Sequence, residues 1–450
     1  MTAIAPLRRR DEVAPMLRIL WLVARPGAQS TAVLLLPVIA FAVTTALLLT
    51  VAGGTAMFFS WSERDVLYPA LGAIACTLLV VPLISLSGVA ARLSARRRDD
   101  RLATLRLLGA TSAGVTLLAV AESTVLAAVG VAVGVVLHVA LVPLVGLIPF
   151  GGAPVGAAAL FLTPSAGLLV CAGVVAIAAI SAAIGLRRVR ITPLGVRART
   201  DAPPLRYGRV LIGVVVIGAA VAALQVAPGD LLLSMVVICG ALAAAIAVLN
   251  LVGPWVLGVI GRAQLKAARG AAALVAARGV LEDPKAAWRQ VSGIAMTSFI
   301  AVVGGVGLAR IDDIGDVDPI MADIRTGILV TLAVSFVMVA CTVGVSQAAA
   351  ILDRREVWVN LDRAGMPDKT MTAIRRRQVL MPLVATVVVS VTVGGLLVAP
   401  LVGAALLFEP LSLVVIASCF ALGFACVLGA LRATDPVLRR ALAEPVSAGA

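Results

Sequence analysis

Few side chains in this 450-residue chain could do chemistry, and those few are scattered. His138 is the only histidine. Six cysteines, Cys76, Cys171, Cys239, Cys341, Cys419 and Cys426, all fall inside apolar runs and none shows C-x-x-C spacing. Neither a zinc site nor a disulfide framework is indicated, and the cysteines read as small packing residues. Asp312, Asp313, Asp316, Asp318 and Asp323 crowd one short stretch without the spacing or glycine of an EF-hand. That stretch reads as a solvated acidic loop, with a cation site as the alternative. No G-x-x-x-x-G-K-[ST] phosphate loop occurs, so ATP is not held through a P-loop. The expectation is a chain with no catalytic set, no metal site and no cofactor of its own, and so not an enzyme.

The elements around these residues are set by composition. The chain is 61% hydrophobic and 13% charged, with a mean hydropathy of +1.09. Soluble domains carry about 25% charged residues, so this surplus of apolar side chains calls for lipid as solvent. A bilayer core is crossed by about 20 apolar residues in a helix. Ten such spans are predicted, near 31–58, 69–91, 115–146, 164–186, 210–227, 231–260, 291–308, 326–350, 379–404 and 411–431. A β-barrel would need alternating polar residues, which are absent. Arg8-Arg9-Arg10 and the mixed segment from Val13 to Arg25 precede an apolar run too long for a signal peptide, so the first run reads as an uncleaved span.

The net charge of +14 does not indicate nucleic acid, because the basic residues lie in short segments between apolar runs and form no single face. They indicate orientation instead. Segments 1–30, 92–114, 187–209, 261–290, 351–378 and 432–450 hold 34 of the 37 Lys and Arg residues. The opposite side has only Arg64, Arg310 and Arg325. The positive-inside rule therefore predicts both termini in the cytoplasm. The excess of arginine over lysine is associated with GC-rich bacteria, which makes a bacterial plasma membrane the expected location. The outer loops are short, with 147–163 and 309–325 the longest, so no large extracellular domain is expected. Within the spans, Glu122 and His138 lie in the third and Gln378 borders the ninth. Glu122 reads as a snorkelling or hydrogen-bonding carboxylate, or as a functional handle. His138 reads as a packing residue or a proton relay. Asn250, Gln225 and Gln347 are expected to bond between helices.

An internal repeat organises the spans. Arg98-Asp99-Asp100-Arg101-Leu102-Ala103-Thr104-Leu105-Arg106-Leu107-Leu108-Gly109-Ala110-Thr111 aligns without a gap on Arg354-Arg355-Glu356-Val357-Trp358-Val359-Asn360-Leu361-Asp362-Arg363-Ala364-Gly365-Met366-Pro367, 256 residues later. Each copy opens on charged residues, continues as a short amphipathic helix, and puts Gly109 or Gly365 at the C-cap. Thr192-Pro193-Leu194 corresponds to Asp435-Pro436-Val437, and amphipathic segments precede the first span (Met16 to Arg25) and the seventh (Ala272 to Arg289). The predicted fold is thus an all-α integral membrane protein of about ten transmembrane helices arranged 4+2+4, with two parallel four-helix repeats. The segments are a cytoplasmic N-terminal segment 1–30, a first half 31–200, linker helices five and six over 201–262, a second half 263–440 and a tail 441–450.

At these residues the chain resembles the FtsX/MacB-type permeases, membrane subunits of one class of ATP-binding-cassette systems. The resemblance rests on Arg96 to Asp100, Leu105 to Thr111 and Glu122 in Ala121-Glu122-Ser123. The second copy keeps the spacing and Gly365 but has Gln378 in place of the glutamate. The resemblance implies that both short helices, near 99–110 and 355–366, dock on an ATPase. In the first, Asp99, Asp100, Arg101, Leu105, Arg106, Gly109, Ala110 and Thr111 would form the contact. In the second, Glu356, Leu361, Asp362, Arg363 and Gly365 would do so. It further implies two copies of a separate ATP-binding subunit, which would bind ATP and magnesium, and a hydrophobic or amphipathic substrate such as a lipid, lipopeptide or antimicrobial peptide. The competing expectation is a secondary transporter, or a signalling or force-transmitting subunit, with no ATP link. A coupled carrier should place ionisable groups or broken helices at the midplane, and this chain has almost none.

Overall fold

The computed structural model describes residues 31–61, 65, 67–96, 112–189, 207–226, 229–314, 319–353, 355–402 and 410–433. Nearly all of them are helical. The long helices are α1 (Thr31–Ser60), α2 (Leu67–Arg96), α3 (Ser112–Val145), α4 (Pro164–Val189), α5 (Gly208–Gln225) and α6 (Leu231–Ala267). A short α7 (Ala271–Glu282) leads into α8 (Pro284–Ile314) and α9 (Pro319–Asp353). A second short helix, α10 (Arg355–Arg363), precedes α11 (Asp368–Val402) and α12 (Pro410–Ala433). Eight of these, α1, α3, α4, α5, α6, α8, α9 and α11, are long and apolar enough to cross a membrane. Helices α2 and α12 occupy the positions predicted for the second and tenth spans, with shorter apolar stretches, Leu67–Val80 and Ile416–Gly429. The chain is an all-helical, multi-pass membrane protein. Its backbone polar groups are satisfied within each segment, as a lipid solvent requires.

Several helices outrun their apolar stretch at the arginine-rich end. Helix α6 runs on to Ala267, α8 starts at Pro284 and α11 at Asp368. The start of α8 has a local cause. Asp283 accepts from the Ala286 N–H at 2.9 Å, and Pro284 stands at the first helical position. This cap divides the amphipathic segment predicted over Ala272 to Arg289 into α7 and the first turns of α8.

The arginine-poor end also differs from expectation. The stretch 309–325 was expected to be a loop, yet α8 extends to Ile314 and α9 begins at Pro319. Asp323, expected in a solvated acidic loop, is buried in the first turns of α9. The connection from α3 to α4 folds on itself. Strands β1 (Pro149–Phe150) and β2 (Ala153–Pro154) pair antiparallel, Pro149 opposite Pro154 and Phe150 opposite Ala153. Gly151 and Gly152 turn the hairpin at φ +64° and +78°. Two consecutive positive φ values are what a type I′ turn requires and what only glycine adopts without strain. A single 3₁₀ turn, Ala158–Leu160, then packs on α1. There a Cβ on Gly53 would meet the Leu160 carbonyl oxygen at 2.0 Å.

Helices α1 to α4 pack in a definite order. Helix α1 lies against α2 and α3, and α4 against α2 and α3. Helices α8, α9, α11 and α12 repeat much of it: α8 lies against α9 and α11, and α12 against α9. Among the described residues they differ in that α12 leans chiefly on α8 and α9, whereas α4 leans chiefly on α2 and α3. The two sets meet where α2 packs on α9. Helices α5 and α6 pair with each other and cover α11, with α6 also touching α8 and α2. The main core runs through all of these, from Leu47 and Leu83 to Leu249, Phe299, Met338 and Leu397.

Candidate functional site

The second copy of the repeated segment lies at the arginine-rich end, between α9 and α11. Its helix α10 spans nine residues inside the predicted 355–366. It ends on Gly365, at φ +80°. The Gly365 N–H donates to the Asp362 carbonyl at 2.8 Å, and the Met366 N–H donates to the Leu361 carbonyl at 3.0 Å. This pair of bonds is a Schellman motif, which answers carbonyls that the last helical turn leaves without intrahelical donors. Its usual apolar contact is present too, because Leu361 and Met366 pack on Met371 and Ile374 of α11. Ala272 of α7 joins the same cluster. Val359 is buried, while Asn360, Asp362, Arg363, Ala364 and Gly365 face solvent. The segment is therefore held by its apolar side and presents a polar ridge with one acid and one base. Such a ridge, fixed to the root of a long helix, can pass a rigid-body push into the membrane.

Among the described residues, the side-chain contacts that fasten the long helices to one another include these four. Between α1 and α3, Thr50 Oγ1 and His138 Nδ1 stand 3.0 Å apart. Thr50 Oγ1 also stands 2.8 Å from the Ala46 carbonyl, and the His138 tautomer sets which partner donates across the helices. The Phe161 ring meets the His138 ring edge-on, with centroids 5.8 Å apart. Between α6 and α8, Trp288 Nε1–H donates to Asn250 Oδ1 at 3.3 Å, and the Trp288 ring lies where a Cβ on Gly253 would be. Between α8 and α9, Thr297 Oγ1 donates to the Ser335 carbonyl at 3.3 Å.

The fourth contact, between α2 and α9, is the most elaborate. Tyr68 Oη, at the start of α2, donates to Asp323 Oδ2. The Gly151 N–H, at the tip of the hairpin, donates to both carboxylate oxygens of Asp323 at 2.9 Å. Tyr68 in turn stacks on Phe58 at 5.8 Å and meets Trp61 edge-on at 5.3 Å, and Phe150 closes on Phe58 at 5.2 Å. One buried carboxylate thus joins α2, α9 and the hairpin.

The predicted site residues are distributed as follows. Asp99, Asp100, Arg101, Leu105, Arg106, Gly109, Ala110 and Thr111 lie outside the described residues. Glu356 is in the first turn of α10. Leu361 is half-buried, Asp362 and Arg363 are exposed, and Gly365 forms the cap. Glu122 is half-buried in α3 and Gln378 half-buried in α11. His138 is buried at a helix–helix contact, which fits its reading as a packing residue. Asn250 bonds across helices as expected, whereas Gln347 Nε2 is buried without a partner. The Tyr68–Asp323–Gly151 fastening was not foreseen. Its only sequence signal is that Tyr68 is one of two tyrosines, and nothing in the order of residues links positions 68, 151 and 323. Among the described residues no cluster of His, Cys, Asp or Glu could hold a metal ion.

Comparison with protein-family models, curated proteins and solved structures yields no match to this chain.

Proposed function

We propose that this chain is the membrane-spanning permease subunit of an FtsX/MacB-type ATP-binding-cassette system. The observation that carries the reading is the duplicated segment, Arg98 to Thr111 and Arg354 to Pro367, at matched positions 256 residues apart. The capped helix α10, seated on the root of α11, supports it for the second copy. The common packing order of α1–α4 and of α8, α9, α11 and α12 supports a 4+2+4 arrangement of two parallel halves, with α5 and α6 as the linker. In this reading the arginine-rich end, with both termini, is cytoplasmic in a bacterial plasma membrane. Two copies of a separate ATPase, carrying ATP and magnesium, dock on the two short helices. ATP hydrolysis in the partner drives export or extraction of a hydrophobic or amphipathic substrate, such as a lipid, lipopeptide or antimicrobial peptide.

The test is reconstitution. The chain, extracted gently, should co-purify with a P-loop ATPase and stimulate its hydrolysis. Arg106→Glu should abolish that stimulation while leaving thermal stability and monodispersity unchanged. A chain that recruits no ATPase, or an Arg106→Glu variant that stimulates as well as the parent, removes the reading.

A further inference from the structure

A lateral groove of about 660 Å³ opens between α6, α7 and α11. Its size is that of pockets that take small ligands, about 300–1,000 Å³. Its walls are almost wholly apolar, from Ile260 of α6 and Ala276 of α7 to Leu380 and Val384 of α11. The polar exceptions, Gln264 of α6 and Arg377 of α11, lie toward the arginine-rich ends of their helices, and the groove continues along α11 to Val389. Arg377 is exposed.

The sequence that forms the groove is basic. Between Val256 and Arg278, and between Thr370 and Val389, there are seven basic residues and no acidic one. Lys266, Arg269, Arg278 and Arg376 are exposed, as is Arg377. Helix α7, which forms one wall, buries Ala276, Ala277 and Val280 and yet exposes Leu274 and Val275 next to Arg278. Exposed apolar residues beside an exposed arginine are how a helix lies in the headgroup boundary. An apolar slot that runs along a membrane-spanning helix and has an arginine at its basic end matches an acyl chain that ends in an anionic headgroup.

We infer that this groove holds one anionic phospholipid of the cytoplasmic leaflet, its acyl chain between α6 and α11 and its phosphate at Arg377. The assignment to that leaflet rests on the orientation proposed above; the binding does not depend on an ATPase. The wall helix α7 also contributes Ala272 to the cluster that seats α10. A lipid in the groove therefore braces the platform of the second docking helix.

The experiment is native mass spectrometry of the full chain, released from nanodiscs of mixed phosphatidylglycerol and phosphatidylcholine. Wild-type protein should retain a single phosphatidylglycerol in preference to phosphatidylcholine. Arg377→Gln should lower that retention about fivefold, the effect of one cation at a membrane surface. Val384→Trp, which fills the slot and leaves the charges in place, should abolish retention of both lipids. Thermal unfolding of each variant checks that it is folded, and Arg377→Lys should restore retention. Equal retention of the two lipids, or an Arg377→Gln variant indistinguishable from wild type, overturns the assignment. Neither result bears on ATPase recruitment, so this inference and the proposed function fail separately.

Discussion

Helices α1–α4 and helices α8, α9, α11 and α12 pack in much the same order, but they are buried to different depths. The apolar window of α8 is 89% buried, against 50% for its counterpart α1 and 17% for α4. The reason is the unequal placement of α5 and α6, which lie on α8 and α11 and leave most of α3 and α4 uncovered. The exposed residues there, such as Leu168, Leu169 and Val136, are what a lipid-facing surface carries. Among the described residues, two fastenings stand at opposite ends of the molecule. At the arginine-poor end, Asp323 of α9 ties the second set to α2 and the hairpin of the first. The second set is also tied at the arginine-rich end, by the Schellman cap and the cluster around Met371. One end holds the sets together, and the other positions a ridge that can receive a partner.

The contrast can be broken most severely at Asp323. Asp323→Ala leaves the Gly151 N–H and the Tyr68 hydroxyl without their buried acceptor, which should cost about 2–3 kcal/mol. Thermal unfolding in detergent should show this as a clear fall in midpoint. Tyr68→Phe should cost about half as much, and an equal loss for the two variants would mean that the hairpin contact is idle. Gly53→Ala attacks the same end from another side. Its Cβ cannot coexist with the Leu160 carbonyl, so the 3₁₀ turn must lift off α1 at about 1–3 kcal/mol. Cysteine accessibility at position 158 or 160 should rise with it.

At the other end the effects should be local. Gly365→Ala imposes a side chain on a residue at φ +80°, at a cost of about 1–2 kcal/mol. Hydrogen exchange across 355–366 should accelerate while the global unfolding midpoint moves little. A drop as large as that of Asp323→Ala would show that both ends carry the fold equally. The smallest effect belongs to the contact inside the first set. A double-mutant cycle of Thr50→Val and His138→Phe should give a coupling of about 0.6 kcal/mol, the average for interhelical hydrogen bonds in a membrane protein.

Much of the fold was legible because lipid simplifies the code. An apolar run of span length has few ways to satisfy its backbone other than as a helix, so the spans followed from composition. The cap at Gly365 was legible for a similar reason, because a glycine that ends an amphipathic run marks a left-handed residue. Helix ends were less so. The turns beyond the apolar run carry Arg, Lys and Asp, and hydropathy cannot tell a helical turn in water from a loop.

The sequence alone determined the class of protein, the helices and their order, the repeat, and the separation of charge between the two ends. These are local or periodic properties, written in neighbouring residues. Only the tertiary structure decided that Asp323 is a buried acceptor and not part of a solvated loop. It also decided that α5 and α6 cover α11, with α6 on α8, and that Ile260, Ala276 and Leu380 line one groove. Those facts depend on which helices touch. In lipid, where every outer face is equally apolar, helix contact is chosen by shape and by a few polar partners far apart in the chain.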